Sequence, residues 1–364
     1  MKLIKLLLVI MAAAVITLAL GGNALAFHAG GVAECSGCHT MHNSQDGQPF
    51  VTNPTSDYLL KFSDPSSTCL DCHAGYGQMT TDGSGYGSGG DFYWLTKTWT
   101  WTAHNSTHNS YGYEHGHSIV AADYMLPNSD PKLLTAPGGS FDSSNLSCAS
   151  CHDPHGKGDA ALLLRENETY ANGTAVFPAG PVMITSGRRS SGSDAASDTN
   201  HSAYGSGMSA WCAACHTTFD DGLGSHMHPT NQTLGTTIAN NYNMYITTGD
   251  MSGGTSVTGK YFELVPFETG TTDLSTLSKT STDGPNAGSK VACISCHRAH
   301  ATAFQDSGRW DFAESELVDS HPDGVTDGSS ATDKLNSYYG RTISTDFSVD
   351  QRSFCNKCHA QDTG

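Results

Sequence analysis

The cysteine pattern constrains this chain most: all twelve cysteines stand in six units of the form Cys-x-x-Cys-His, numbered here one to six in chain order. The cysteine pairs are Cys35 and Cys38, Cys69 and Cys72, Cys148 and Cys151, Cys212 and Cys215, Cys293 and Cys296, and Cys355 and Cys358. The histidines that follow them are His39, His73, His152, His216, His297 and His359. Two thiols at this spacing can add to both vinyl groups of one porphyrin, which brings the next side chain under the iron. The sequence therefore predicts six covalently bound haem c groups, each with its unit's histidine as proximal iron ligand.

Three other uses of cysteine pairs compete with this interpretation. Exported proteins commonly use cysteines in disulfides, but a disulfide framework gives no reason for a histidine after every pair. Zinc sites also use Cys-x-x-Cys pairs, yet they do not require the trailing histidine. A thioredoxin-like redox pair is usually single and opens a helix after a strand. The repetition of the complete unit favours haem over all three.

The N-terminus has the pattern of a secretory signal peptide. Lys2 and Lys5 form a short basic start, residues 6–20 are an apolar run, and residues 24–26 supply the small side chains that a signal peptidase recognises. An N-terminal membrane anchor is the alternative, but the apolar run is short for a bilayer span. We therefore expect residues 1–26 to be a signal peptide and residues 27–364 to form a single hexahaem cytochrome domain.

The composition is poor material for a conventional core. Only 37% of the residues are hydrophobic, against about 45–50% in a typical globular domain. Without the signal peptide, roughly 56 residues remain for each haem, too few for a separate domain around each one. We predict a multihaem c-type cytochrome that is mostly irregular coil, with short helices at the Cys-x-x-Cys-His units and very little strand, wrapped around a closely stacked haem chain. Further helical segments are expected over residues 159–167 and at the C-terminal end.

Each iron needs a sixth ligand or an open position, and twelve histidines stand outside the six units. Three of them, His42, His155 and His300, follow a proximal histidine by three residues. Two imidazoles at this spacing lie side by side on a helical turn, so the porphyrin separates the second from the far face of its own haem. If such a histidine binds iron, it must bind a different haem, which forces two haems into close contact. Alternatively, it hydrogen-bonds a propionate or a carbonyl, or a methionine such as Met41 ligates instead.

Long strings around the units resemble the polymerising multihaem cytochromes of metal-respiring bacteria. The resemblance covers most of the mature chain and is weakest in the loops between the units. Its strings are Phe27-His28-Ala-Gly-Gly-Val-Ala-Glu-Cys35, Cys38-His39-Thr-Met-His42-Asn, Cys151-His152-Asp-Pro-His155-Gly-Lys, Tyr204-Gly-Ser-Gly-Met-Ser-Ala-Trp-Cys212, Cys293-Ile-Ser-Cys296-His297-Arg-Ala-His300-Ala, Tyr339-Gly-Arg and Cys355-Asn-Lys-Cys358-His359-Ala.

This resemblance implies two histidine ligands for every iron and selects the distal ones. The distal ligands that it implies are His28, His42, His117, His155, His228 and His300. The remaining histidines are then surplus: His104, His108, His115, His201, His226 and His321. Two of these stay as alternatives, because His115 and His226 each lie two residues before a selected histidine.

The resemblance also implies an end-to-end homopolymer, in which His42 ligates a haem of the neighbouring subunit, the one held by Cys293, Cys296 and His297. The expected function is extracellular electron transfer along a filament at the outer cell surface, with other c-type cytochromes or metal oxides as redox partners. Two alternatives stay open: a monomeric periplasmic electron shuttle and a multihaem reductase of nitrite, hydroxylamine or sulfur oxyanions. Six regular units and abundant histidines favour electron transfer over an enzyme with an open iron. The net charge of −17 excludes a nucleic-acid binder.

Overall fold

A computed structural model describes residues 35–42, 44–45, 48–49, 59–75, 79, 87–103, 105–156, 161–185, 196–219, 229–245 and 259–359. The predicted signal peptide lies outside the described residues. Seven short α-helices are described: α1 (Cys35–Cys38), α2 (Pro65–His73), α3 (Cys148–Cys151), α4 (Met208–Cys212), α5 (Gly235–Met244), α6 (Cys293–Cys296) and α7 (Ala331–Ser337). Five of these helices contain unit cysteines, and the sixth unit lies on the 3-10 turn Phe354–Lys357. The prediction of short helices at the units is confirmed.

Two helices were not predicted, and one predicted helix is wrong. Helices α5 and α7 lie between units, in segments where the polar composition indicates loops. In the predicted segment 159–167, the described residues contain only the 3-10 turn Ala161–Leu163. Leu162 and Leu163 both have positive φ angles, of 60° and 56°. A left-handed backbone cannot continue an α-helix, so the chain turns back here.

The described strands form four separate antiparallel pairs. They are β1 (Ser44–Gln45) with β2 (Gln48–Pro49), β3 (Trp99–Ala103) with β4 (Ser106–Ser110), β5 (Glu168–Tyr170) with β6 (Ala175–Phe177), and β7 (Val182–Ile184) with β8 (Ala203–Ser206). The longest pair is the β3–β4 hairpin, in which Trp101 lies opposite His108. None of these pairs joins another among the described residues. The expectation of very little strand, and of a coil-rich chain, is confirmed.

Capping by a side chain explains why α2, the longest helix that contains unit cysteines, begins at Pro65. Asp64 precedes α2, and its carboxylate accepts a hydrogen bond of 2.7 Å from the amide of Ser67. Pro65 occupies the first helical position, where its fixed φ suits the helix and its missing N–H costs nothing. The short helix α2 therefore begins at a defined residue, which fixes the direction in which the second unit is presented.

Two hydrophobic clusters lie beside the attachment cysteines. The first extends from Leu70 to Phe354 through Trp99 and Trp310. The second is built around Phe177 and Trp211. Six unit cysteines pack at the margins of these clusters: Cys148, Cys296 and Cys358 against the first, and Cys151, Cys212 and Cys215 against the second. The apolar interior is therefore arranged around the cysteine pairs.

The sixth unit docks on the C-terminal end of helix α5 through a buried lysine. The side chain of Lys357 is fully buried, and its Nζ donates hydrogen bonds to the carbonyls of Tyr242, at 2.9 Å, and Tyr245, at 2.6 Å. Carbonyls in the last turn of a helix lack intrahelical partners, so a lysine is a suitable donor for them. Among the described residues, no helix has the length and hydrophobicity to cross a bilayer.

Candidate haem centres

Consecutive units lie next to one another through their thiols. The thiols of Cys69 and Cys148 hydrogen-bond each other, which joins units two and three. Cys212 and Cys293 make the same contact between units four and five. These two contacts place the porphyrin attachment points of successive units side by side.

In the other pairs of consecutive units, the cysteines lie close enough to affect each other's pKa. Burial raises the pKa of Cys38, and the nearby Cys72 of the second unit raises it further. Burial raises the pKa of Cys151 to about 12, with a further contribution from Cys215 of the fourth unit. Cys296 behaves in the same way, because burial and then Cys355 raise its pKa to about 12. The units are thus arranged in the order in which they occur in the sequence.

The proximal imidazoles are held in the tautomer that a metal ligand needs. Nδ1 of three of them lies within hydrogen-bond distance of a backbone carbonyl: His152 with Leu162 (2.8 Å), His216 with Pro137 (2.8 Å) and His297 with Asp306 (2.7 Å). A carbonyl only accepts, so Nδ1 carries the proton and Nε2 keeps its lone pair. Such an outer hydrogen bond is the usual way in which proteins orient a metal-binding histidine. These rings fit the predicted proximal role.

Three predicted distal histidines face proximal histidines of other units. The ring of His155 lies 6.4 Å from that of His39, and the two rings are inclined by 10°. The ring of His300 lies 6.4 Å from that of His152. The third pair is His117 and His216, whose ring centroids are 6.0 Å apart.

These distances match two imidazoles on opposite sides of one metal ion. A metal–nitrogen bond of about 2.0 Å, added to the distance from nitrogen to ring centre, places two such centroids about 6 Å apart. The two histidines that follow a proximal histidine by three residues, His155 and His300, face a different unit from their own. The spacing in the sequence predicts that these rings point toward another unit, and they lie in that direction.

Two of these distal candidates have the neutral imidazole that an iron ligand needs. Burial lowers the pKa of His117 to about 4 and that of His300 to about 3. Their Nδ1 atoms lie near the carbonyls of Ala299 and Gly90, at 2.6 Å and 3.3 Å. Both rings are therefore neutral at pH 7, with Nε2 available as a donor to a metal.

His115, the alternative to His117, has a different environment. Its ring is completely buried, with Nε2 2.7 Å from the Ser110 hydroxyl and Nδ1 2.9 Å from the Trp94 carbonyl. It also stacks on Trp99. Both nitrogens are thus engaged within the protein, and the geometry favours His117 over His115 as the distal ligand.

The other surplus histidines of the described region have partners of their own. His201 is buried between the carbonyls of Ser202 and Ser281. His108 and His321 stack on Trp101, and Nδ1 of His321 lies 3.0 Å from Asp327. His42 is described and exposed. The four other histidines that stand outside the units lie outside the described residues: His28, His104, His226 and His228.

The cysteines themselves distinguish between the competing uses. All twelve fall within the described residues, and all are free, so the structure contains no disulfide framework among them. Unpaired thiols beside an oriented imidazole fit thioether attachment to a porphyrin.

Two serines at the unit helices were not singled out from the sequence. The hydroxyl of Ser66 accepts a hydrogen bond of 3.1 Å from the amide of Cys148, and that of Ser209 accepts one of 3.1 Å from the amide of Cys293. Each serine stands three residues before the first cysteine of an even-numbered unit. That shared position is the signal that could have found them.

Comparison with known proteins gives the same assignment. No protein-family model matches the chain. The chain is 36% identical to the C-type cytochrome OmcS of Geobacter sulfurreducens over an alignment of 424 positions, which covers 93% of this chain and 95% of that protein. This chain belongs to the OmcS family of c-type cytochromes. Membership confirms the predicted class, an electron-transfer cytochrome with six covalently bound haems, over an enzyme.

Solved structures of OmcS agree with this fold. The outer membrane cytochrome S filament from Geobacter sulfurreducens matches with a TM-score of 0.77 at 33% identity. The OmcS nanowires from the same organism match with a TM-score of 0.78, also at 33% identity. Each match covers 92% of this chain and 100% of the OmcS chain. The coil-rich architecture is therefore that of the OmcS family.

Proposed function

We propose that this chain conducts electrons outside the cell, along a continuous row of six bis-histidine haems, and that its copies join end to end into a filament. The solved OmcS relatives are a filament and nanowires, which supports the same assembly here. Residues 1–26 serve as the export signal in this proposal. The haems, once attached, supply one-electron chemistry, and the protein sets their spacing, ligation and surroundings.

The proposal rests on the histidines that follow a proximal histidine by three residues, here called third-position histidines. Two of them face the proximal histidine of another unit in the same chain, and we call this series of contacts the relay. His300, which follows the proximal histidine of unit five, faces His152 of unit three. His155, which follows the proximal histidine of unit three, faces His39 of unit one. Each step goes from one odd-numbered unit to the preceding one.

The same step, continued from unit one, leaves the chain. His42 follows His39 by three residues, and among the odd-numbered units only unit five is then left without a facing histidine of this series. The ring of His42 is exposed. The preceding odd-numbered unit is then unit five of a neighbouring copy, which makes His297 the proximal partner of His42. A contact between two different patches does not close on itself unless its rotation permits, so it propagates as a helical filament.

Two predicted distal ligands remain for the two other units. His28 and His228 are assigned to His73 and His359 together, without an order between them. His226 stays the alternative to His228. In this arrangement every iron has two histidine ligands, which favours lower potentials than histidine–methionine ligation and leaves no coordination position for a substrate.

The surface charge indicates what kind of redox partner the chain meets. Its formal net charge is −17 with neutral histidines. Complementary charge steers the encounter of redox partners, so a donor or acceptor with a positive patch fits best. We propose other c-type cytochromes as electron donors and extracellular metal oxides as acceptors.

The decisive experiment compares His42→Ala with the wild type and with His108→Ala, a matched control at an exposed histidine. We expect His42→Ala to keep six haems by mass, to show one high-spin haem, and to form no filaments by electron microscopy. The control should polymerise with all haems low-spin. Polymerisation of His42→Ala with all haems low-spin would show that the bridging histidine is wrong. Discrete wild-type particles at every concentration would favour the periplasmic shuttle.

A further inference from the structure

Units three and five are built on the same backbone frame. The first cysteine amide of each is capped by a serine hydroxyl from the helix of the preceding unit, over 82 residues for Ser66 and Cys148 and over 84 for Ser209 and Cys293. Inside each unit a second serine hydroxyl, that of Ser150 or Ser295, accepts from the amide just before the first cysteine. The sequence shows no repeat of fixed period, because the loops between these elements differ.

In both units, an arginine from a later part of the chain donates hydrogen bonds to carbonyls of the unit in the same way. In unit three, the main-chain amide of Arg165 donates to the Cys151 carbonyl, and its Nε donates to a unit carbonyl at 2.8 Å. In unit five, the amide of Arg309 donates to the Cys296 carbonyl, and its Nε donates to the Ile294 carbonyl at 2.6 Å. The geometry around the two attachment sites is thus equivalent.

The charges on the two frames are not equivalent. In unit three, the residue after the proximal histidine is Asp153, which is buried. The guanidinium of Arg165 forms an ion pair with one carboxylate: its Nη1 lies 2.7 Å from Oε1 of Glu168. The frame of unit three therefore carries two carboxylates and one arginine, which gives it a net negative charge.

In unit five, the residue after the proximal histidine is Arg298, which is buried. Arg298 and Arg309 share one buried carboxylate, Oε1 of Glu263, at 2.9 Å and 3.4 Å. Arg341 lies 3.6 Å from the other oxygen of Glu263 and 3.9 Å from Asp198, so that outer pair balances itself. The frame of unit five is therefore more positive than that of unit three, also when the outlying carboxylates are counted: Glu268, which acts on Cys212 beside Cys293, and Asp64, which acts on Cys148. Asp306 is close to the frame of unit five but exposed, and water screens its charge.

We infer that these side chains hold the haem of unit five at a more positive midpoint potential than the haem of unit three. The inference rests on the proposed electron conduit for its relevance, but not on filament formation. A nearby positive charge favours the reduced iron, which has one positive charge fewer than the oxidised iron. In a protein interior such a charge acts through a low effective dielectric, so its effect on the potential is large.

The test removes the carboxylate partner of the frame arginine in each unit. Glu263→Gln and Glu168→Gln are matched variants, because each keeps the side-chain shape and deletes one negative charge. Spectroelectrochemical redox titration of the holoprotein gives the potentials of the six haems, with every variant in the same assembly state and with imidazole added to supply any iron that lacks a histidine ligand. We expect each variant to shift one haem to a more positive potential, and the haem shifted by Glu263→Gln to titrate at a more positive potential than the haem shifted by Glu168→Gln. Asp283→Asn, at an exposed residue, should leave the curve unchanged.

The inference is overturned if the haem shifted by Glu263→Gln titrates at a lower potential than the haem shifted by Glu168→Gln, if both variants shift the same haem, or if neither shifts a haem. Should Glu263→Gln not fold, Arg341→Gln replaces it, because Arg341 lies at the partly exposed edge of the same cluster. That variant should lower the potential of one haem that titrates above the haem shifted by Glu168→Gln, and the absence of such a shift would refute the inference. Failure of the conduit proposal is seen separately, in the spin states and in the microscopy of His42→Ala.

Discussion

The imidazole rings of His39 and His155 lie nearly parallel, 6.4 Å apart and inclined by only 10°. The pair formed by His152 and His300 has the same separation but an inclination of 58°. Both pairs join a proximal histidine to a histidine that follows another unit. The protein thus fixes the spacing of these pairs closely while it varies the angle between the rings.

Replacement of His155 tests whether this pair holds an iron. In His155→Ala we expect six covalent haems, one of them high-spin at every protein concentration, because His39 belongs to the same chain. Absorption and electron paramagnetic resonance spectra would show the change, and added imidazole should restore the low-spin state. His321→Ala is the control, at a histidine that contacts Asp327. A His155→Ala protein with all haems low-spin would remove His155 from the ligand set.

His115 and His117 should respond in opposite ways to substitution. His117→Ala should convert one haem to the high-spin form and change stability little. His115→Ala should leave the haem spectra unchanged, but it breaks two buried hydrogen bonds and should cost about 2–4 kcal/mol of unfolding free energy. Visible spectra and urea unfolding of the two variants separate these results. A spin-state change in His115→Ala would reverse the assignment.

Glu263 should contribute strongly to stability, and in a pH-dependent way. Burial alone would raise its pKa, but Arg298, Arg309 and Arg341 together lower it to about 2. Removing the shared partner of buried charges typically costs about 3–5 kcal/mol, which we expect for Glu263→Gln at pH 7.

The pH dependence of this loss follows from the direction of the pKa shift. The pKa of Glu263 is lower in the folded state than the value of about 4.3 for an unfolded chain. Its stabilising effect is therefore fully present above that value and is lost as the pH falls toward 2. Urea unfolding at a series of pH values should show the wild type losing its advantage over Glu263→Gln below about pH 4. A constant difference down to pH 2 would contradict the ion-pair explanation.

Lys357 should stabilise the contact between the sixth unit and helix α5. Lys357→Met keeps most of the apolar volume but leaves the carbonyls of Tyr242 and Tyr245 without this donor. An unsatisfied buried carbonyl costs about 1–3 kcal/mol, so we expect a loss in that range. Hydrogen exchange should show faster exchange in the last turn of α5, while haem content stays at six. Unchanged exchange in α5 would show that Lys357 does not cap it.

The covalent chemistry of this chain could be predicted from sequence because it is local. Each haem site needs two cysteines and a histidine at fixed spacing, and all three lie within five consecutive residues. The direction of His155 and His300 could also be predicted, because a porphyrin separates neighbouring side chains on one helical turn. Helix α5 was missed because its polar residues indicate a loop, and it is stabilised partly by Lys357, more than a hundred residues away.

Long-range contacts account for the rest. The sequence left His115 and His117 as alternatives, because only the packing of Trp94 and Ser110 around His115 distinguishes them. The shared frame of units three and five was hidden by loops of different length. The role of Glu263 was equally hidden, since Arg298 and Arg309 reach it from residues 35 and 46 positions further along the chain.

In the proposed assembly, the third-position histidines make each copy directional. A copy would donate an imidazole near its N-terminus, at His42, and accept one at its fifth unit, beside His297. Every copy in an assembly must then point the same way, so the two tips are chemically different: one ends in an unused imidazole and the other in an iron that lacks a ligand. A chain without His42 can still accept a neighbour but cannot extend past itself. Mixed with wild type in increasing proportion, it would act as a one-sided terminator and set the mean length of the assemblies.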